Sequence, residues 1–541
     1  MNRNENLASL KSDSFDICVI GAGASGAGVA LDGALRGLKV ALIDKHDFAS
    51  ETSSKSTKLI HGGVRYLEQA VKQLDPGHLK QMIHGLSERK YLLENAPYLC
   101  KPLGIITPVK SWIEGLYYTI GLKIYGWFAL NDAIPKAKWL SKKQTLEFSP
   151  DLNSQIHSSV MYYDAQLDDS KYTIALVQSA SKIGAKIANY LELFQFHKDS
   201  NGKIISAIVK DSISNEKFEI KSKLFVNCTG PFADSIRLLA NPEEEIRIKP
   251  SKGAHIVISK EFFRGEKAML IPKTKDGRLV FVIPFKSEVM VGTTDTPYEN
   301  IEKEPYLENE DVAFLLDTLT PYLKKKPKKE DIISGFSGIR PLISGKRKNQ
   351  KETKRLLRDH EVEVDHKSGL VSLLGGKWTT YRLMAQDTID EICQILGVQK
   401  ECSTKKFKLF GAQNQILECD SIFANIDLDV INHLKETYGD QINEVLDLIK
   451  LDSNLKERIS SKYPFIKAQI VYACHHEMIT KPRDFLARRI RLEILDWSEC
   501  IAVLKTVSEI MAKELGWDEE KLMFEIFAYQ NLLNDFKSRI N

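Results

Sequence analysis

The sequence predicts an α/β (α+β) protein with a Rossmann-like nucleotide-binding unit at the N-terminus, a β-rich second domain and an all-helical C-terminal domain. Three observations predict it. Residues 17–44 read strand, glycine-rich turn, helix, strand; residues 203–293 are dominated by short apolar runs and turn residues; beyond residue 405 glycine becomes sparse and apolar residues recur at helical spacing. A chain of 541 residues is too long for a single core, since cores stop growing at roughly 250–300 residues, so two or three domains are expected.

The elements follow in order. Residues 1–16 are polar, carry Glu5, Asp13 and Asp16, and lack an apolar stretch, so neither a secretory signal nor a transit peptide is expected. Ile17-Cys18-Val19-Ile20 reads as the first strand, Ala24 to Arg36 as a helix stopped by Gly37, and Val40 to Ile43 as a second strand closing on Asp44. Residues 112–130 are rich in Trp, Tyr, Ile and Leu, with Glu114 and Lys123 the only charges. Residues 141–169 give mixed signals. Lys171 to Lys186 reads as a helix, Lys203 to Ser212 and Glu216 to Val226 as strands, and Ala254 to Ser259 and Lys267 to Thr293 as β-rich, with Asp276-Gly277 as a hairpin turn. Val371 to Gly376 is a further strand, and Ile466 to Met478 and Trp497 to Leu515 are helical. The run Lys324 to Lys329 reads as a solvated loop.

Composition excludes several classes. With 43% apolar and 27% charged residues the chain is neither disordered nor membrane-spanning, and it has no uncharged apolar stretch of eighteen residues. A formal net charge of +4 is small for this length and gives no reason to expect nucleic acid. The eight cysteines form no C-x-x-C pair and do not sit among histidines at zinc spacing; no metal is expected, and reduced thiols fit a cytoplasmic setting.

Gly21-Ala22-Gly23-Ala24-Ser25-Gly26 matches G-x-G-x-x-G in the strand-to-helix context that the motif requires. Gly21 makes the tight turn, Gly23 admits the pyrophosphate to the backbone, and Gly26 lets helix pack on strand. The helix N-terminus offers free amides to phosphate, and Asp44, at the end of the second strand, suits ribose hydroxyls. The fingerprint alone does not separate FAD from NAD. Ser50 to Tyr66, dense in hydroxyls and glycines where an NAD fold would continue into a crossover helix, is suited to hold the rest of a larger cofactor.

These segments resemble a known family. Gly21 to Gly28, Asp47 to Ser50, Thr52 to Ser54 and Ser56 to Tyr66 are similar to the FAD-dependent glycerol-3-phosphate dehydrogenases. So are Asn227 to Pro231, Lys252 to His255, Val291 to Asp295, Gly338 to Leu342, Arg358 to His360 and Gly375 to Arg382, all in the family's order. The likeness resumes at Arg488 to Leu492. Trp378 stands where the family often has leucine, and the basic stretch 346–357 does not align.

The resemblance implies a discontinuous FAD-binding domain (1–70, 150–250, 335–400), a substrate or cap domain (71–149, 251–334) and a helical domain (405–541). It implies cofactor contacts from Gly21, Gly23, Ala24, Ser25, Gly26, Asp44 and Lys45, and from Thr52, Ser53, Ser54, Lys58, Leu59, His61, Gly62 and Gly63. Gly230, Gly338, Gly376, Lys377, Trp378 and Thr379 complete that set. The implied reaction is oxidation of sn-glycerol 3-phosphate to dihydroxyacetone phosphate, with electrons passed from FAD to a quinone, or to dioxygen in the oxidase branch.

A phosphorylated substrate needs cations, and arginine's planar fork suits phosphate. Arg65, Arg340 and Arg358 match the family's substrate positions, so the resemblance implies that they lie near it, with Lys377 at the substrate or the reduced flavin and Tyr66 and Asp295 in the same pocket. His255 is the candidate base, because imidazole titrates near neutrality; with Arg340 and Lys377 it forms the expected catalytic set. Residues 112–130 read either as a helix lying in a membrane interface, which would make the protein peripheral on the inner face of the cytoplasmic membrane, or as a buried cap helix. A homodimer is expected from base rates. Two other readings stand: an amine or amino-acid oxidase of the same cofactor fold, and a flavin-binding sensor or assembly protein.

Overall fold

The structure, a computed structural model, describes residues 1–63, 76–128, 134–272, 274, 277–344, 360–414 and 426–540. The first sheet is built on the strand Ser14–Ile20, which pairs in parallel with Val40–Ile43 on one side and with Lys217–Asn227 on the other. Lys186–Ala188 extends the sheet beyond Val40–Ile43, and Val371–Gly375 beyond Lys217–Asn227; His360–Val364 then runs antiparallel at that edge. Ile17 to Ile20 and Val40 to Ile43 are continuously buried, as strands covered on both faces must be. The helix Ala24–Leu35 is flanked by the helices Asp169–Lys182 and Tyr381–Leu396.

Among the described residues the second sheet has ten strands. Its longest ladder pairs Ile248–Ser259 with Ile332–Ile343, antiparallel, in a register that sets Ser251 against Arg340, Gly253 against Gly338 and His255 against Phe336. Side chains alternate across a strand, so Ser251, Gly253, His255, Phe336, Gly338 and Arg340 share one face. Ala268–Ile271 pairs with Val280–Phe285, as the hairpin signal at Asp276-Gly277 requires, although Asp276 lies outside the described residues. Two further strands, Cys100–Val109 and Ser158–Leu167, were not legible in the sequence. Ser158–Leu167 and Ile332–Ile343 hydrogen-bond into this second sheet, whereas the sequence reading groups 150–250 and 335–400 with the first; alternation identifies a strand but not its partner.

Element ends shift for local reasons. The helix read as Lys171 to Lys186 begins at Asp169, where the Asp168 side chain accepts from Lys171 N–H, a cap worth about 1 kcal/mol. It stops at Lys182, before the Gly184 turn that leads to the strand Lys186–Ala188. The polar N-terminus forms a helix, Arg3–Ser12, capped by Asn2 and anchored by Arg3 to Asp211 at 2.9 Å.

Helices dominate the described residues from 426 onward, but they do not enclose a core of their own throughout. Leu428–Tyr438 and Ile442–Leu451 share a small cluster with Ala468 and Tyr472. From Tyr463 on, Phe485, Ile490, Trp497, Val503 and Leu533 join the core of the second sheet. In that sheet Ile256, Val257 and Ile258 are consecutive and all 0% exposed, so both faces need cover. The helices Leu492–Leu495 and Trp497–Leu515 pack against Ile332–Ile343, and Ser334 Oγ donates to the Ile494 carbonyl at 2.6 Å.

Candidate active site

A cavity of about 1360 Å³ runs between the two sheets. Its first end is the glycine-rich turn. Gly21 has φ of 99°, and a Cβ at Gly26 would lie 1.8 Å from the Gly21 carbonyl oxygen, so helix and turn can meet only without a side chain there. The N-cap residue Gly23 has no side chain to cap the helix, and the end of the helix opens onto the cavity, where a phosphate would meet its amides. Ala22 N–H donates to Asp44 Oδ2 at 2.6 Å and His46 N–H to Asp44 Oδ1 at 2.9 Å. Burial nevertheless raises the Asp44 carboxyl above the usual carboxylate range, a cost that hydroxyl donors from a ribose would offset.

The segment after the second strand forms the middle of the wall. Ala24 N–H donates to Ser53 Oγ at 2.9 Å, Thr52 Oγ1 donates to the Ile339 carbonyl at 2.6 Å, and Trp378 Nε1 donates to the Ser53 carbonyl at 3.1 Å. The hydroxyl-rich stretch therefore stitches the glycine turn, the second sheet and the Gly375–Thr380 turn together.

The far end carries charge. Arg340, half-buried, donates through Nη2 to Thr293 Oγ1 at 2.8 Å and the Thr294 carbonyl at 3.0 Å. Through Nη1 it reaches the Lys252 carbonyl and Asp295 Oδ1, each at 3.3 Å. Asp295 also accepts from Ser251 Oγ. Gly253 makes room for this fork: a Cβ there would stand 2.3 Å from Arg340 Nη2. His255 is 2% exposed, stacks on Phe336 at 4.7 Å and 11°, and pairs through Nε2 with Thr57 Oγ1 at 3.1 Å. Burial, then Lys58, then Arg340 hold its imidazole well below the ordinary histidine range, so it is neutral at pH 7. Lys377 enters the wall just before the short turn Trp378–Thr380.

Most of the expected site residues meet here. Gly21, Gly23, Ala24, Ser25, Asp44, Lys45, Thr52, Ser53, Leu59, His61, Gly63, Gly230, Asp295, Gly338, Gly376, Trp378 and Thr379 line the cavity with His255, Arg340 and Lys377. Four do not reach its wall. Gly26 is the helix–turn contact. Ser54 is buried, with its carbonyl accepting from Lys58 and Arg491; Lys58 is 0% exposed and paired with Asp169 at 3.1 Å; Gly62 packs on Leu86. Arg65, Tyr66 and Arg358 lie outside the described residues. The wall also contains Lys55, Thr57, His78, Arg278 and Glu304, to which the sequence reading gave no role. Thr57 stood in the quoted hydroxyl run; Arg278 follows a turn signal and reads only as its flank.

The residues present fit a flavin dinucleotide: a glycine-started helix end for pyrophosphate, a carboxylate for ribose, and a chamber with charged groups beyond. Comparison with known proteins agrees. A family model described as FAD dependent oxidoreductase matches residues 16–382, and one described as the C-terminal domain of alpha-glycerophosphate oxidase matches 402–522. The chain is 36% identical to a mitochondrial glycerol-3-phosphate dehydrogenase of Arabidopsis thaliana, over 99% of this chain and 88% of that one. It is 33% identical to that of Saccharomyces cerevisiae, over 97% and 90%. Its fold is similar to the glycerol-3-phosphate dehydrogenase from Bacillus halodurans complexed with FAD, with a TM-score of 0.79 and 28% identity over 100% of this chain and 98% of that one. The chain belongs to the FAD-dependent glycerol-3-phosphate dehydrogenase family, and its cofactor is FAD.

Proposed function

We propose that the chain oxidises sn-glycerol 3-phosphate to dihydroxyacetone phosphate and passes the electrons to a quinone. When bound, FAD supplies the hydride acceptor. The observation that carries this reading is the single ladder face that brings His255 and Arg340 into one cavity with the glycine turn and Lys377. Arg340 and Lys377 provide the positive charge for a phosphorylated substrate, Arg340 held by Asp295 and Thr293 so that its fork is preorganised. His255, neutral and fixed between Phe336 and Thr57, takes the hydroxyl proton at Nε2, and the arriving dianion raises its basicity. On the family likeness we assign Arg65, Tyr66 and Arg358 to substrate binding; they lie outside the described residues.

The quinone reading draws on the helix Trp112–Phe128. Trp112, Ile113, Leu116, Tyr117, Ile120, Ile124 and Trp127 are 41–68% exposed, while Gly115, Thr119, Leu122 and Tyr125 face inward. A stripe of tryptophan, tyrosine and isoleucine with little charge suits the bilayer interface. Among the described residues no helix is long and apolar enough to cross a membrane, so contact would be peripheral. We take the protein to be a homodimer docked on the inner face of the cytoplasmic membrane.

The test is anaerobic addition of sn-glycerol 3-phosphate to the purified holoprotein while following the flavin absorbance. Bleaching with formation of dihydroxyacetone phosphate supports the substrate; a quinone analogue that restores the oxidised spectrum faster than air supports the acceptor. A yellow protein that bleaches with glycine or sarcosine instead would discard the substrate.

A further inference from the structure

The run Arg488-Arg489-Ile490-Arg491 takes no part in the cavity wall, yet its three arginines are 0–6% exposed and all reach out of the helical region. Besides Asp484 and Glu477 within the helical region, and Asp168, they pair with two fully buried carboxylates beside the cofactor-lining segment. Asp47 accepts from Arg488 Nε at 2.6 Å, and from Arg489 Nη1 at 2.8 Å and Nη2 at 3.0 Å. Asp169 accepts on Oδ1 from Arg491 Nη2 at 3.0 Å; on Oδ2 it accepts from Ser56 N–H at 3.0 Å, Ser56 Oγ at 2.7 Å and Lys58 Nζ at 3.1 Å. Arg491 Nη2 also donates to the Ser54 carbonyl at 2.6 Å.

The helical region thus holds the stretch from Asp47 to Lys58 directly at Asp47 and Ser54, and at Ser56 and Lys58 through Asp169. Between these contacts lie Thr52, Ser53 and Thr57, which line the cavity, and Ser53 bonds to the amide of Ala24 at the helix end. A buried carboxylate that loses its guanidinium is strongly disfavoured, so the helical region cannot lift away without disturbing this loop. Arg491 has φ of 71°, left-handed backbone that a non-glycine residue adopts only where its surroundings hold it.

We propose that Arg491, acting through the Ser54 carbonyl and Asp169, is a positioning residue for the cofactor, and that FAD retention and docking of the helical C-terminal region are thermodynamically coupled. The coupling is reciprocal: what the docked helices add to FAD affinity, FAD adds to their docking.

Two measurements on the full chain test it. In the wild type, hydrogen exchange is followed with and without FAD. Protection at residues 484–495, which do not line the cofactor cavity, is expected to rise at least tenfold on FAD binding, in step with residues 21–26. Unchanged exchange at 484–495 beside strong protection at 21–26 overturns the proposal without any variant. Second, FAD release is timed in Arg491→Met and Arg491→Lys. Release at least tenfold faster in Arg491→Met, with partial recovery in Arg491→Lys, supports the coupling; a lower apoprotein melting temperature with an unchanged release rate makes Arg491 merely structural and refutes it. Should Arg491→Met fail to fold, the exchange measurement decides alone.

Discussion

Replacing Gly253 by alanine separates catalysis from stability. The new Cβ would lie 2.3 Å from Arg340 Nη2, 2.6 Å from Cζ and 2.7 Å from Nη1. The clash is with the far end of a half-buried side chain, so the guanidinium swings aside while the ladder register holds. The fold loses the Arg340 bonds to Thr293, Thr294 and Asp295 but keeps Ser251 on Asp295. That costs about 1–2 kcal/mol, at the lower end of overpacking losses of ~1–3 kcal/mol. The displaced cation no longer meets the substrate, and one lost charge-assisted hydrogen bond of about 1.5–3 kcal/mol corresponds to a roughly 10- to 150-fold fall in kcat/KM. Steady-state turnover with glycerol 3-phosphate, thermal melting and flavin content are measured on the same preparation. The expected pattern is full flavin, a melting temperature lower by a few degrees and at least a tenfold loss of kcat/KM. Activity within twofold of wild type would show that Arg340 does not act from its observed position; loss of flavin would show that Gly253 serves cofactor binding instead.

Gly26→Ala forces Cβ to 1.8 Å from the Gly21 carbonyl oxygen, so the purified protein is expected to be colourless and to resist reconstitution with FAD; a yellow product would contradict the phosphate-cradle assignment. His255 and His433 are both buried and held well below the ordinary histidine value, His255 by burial, Lys58 and Arg340, His433 by burial, Lys286 and Lys171. Their unfolded value is about 6.5, so below it the unfolded chain binds more protons, and stability is expected to fall as pH drops from 7 to 5.5. His255→Asn should flatten part of that fall and lower kcat roughly 100- to 10,000-fold; an unaltered melting-versus-pH curve would rule out a neutral buried His255. The double substitution Trp112→Ser and Trp127→Ser removes two side chains that are 62% and 68% exposed. It should abolish co-sedimentation with vesicles at unchanged turnover with a soluble acceptor, and retained binding would refute the interfacial helix.

The sequence determined the elements whose chemistry is local. The turn at Gly21 to Gly26, the strand closing on Asp44 and the helix Trp497–Leu515 are legible because glycine placement, an apolar run or 3.6-residue spacing fixes each within a few turns of chain. Lys252 to His255 and Gly338 to Leu342 could be singled out by likeness, but not set side by side. That takes the register pairing Gly253 with Gly338, a contact 85 residues apart along the chain that only the assembled sheet supplies. For the same reason Lys58 and Ser54 read as cofactor contacts and are found bound instead by Asp169 and Arg491. The strand Ser158–Leu167 was hidden in a stretch of mixed signals, and the helical region could be recognised as helical while its sharing of the second sheet's core could not. Periodicity states which residues want burial. The surface that buries them, and the charge that must be paired once they are buried, are decided only when distant segments meet.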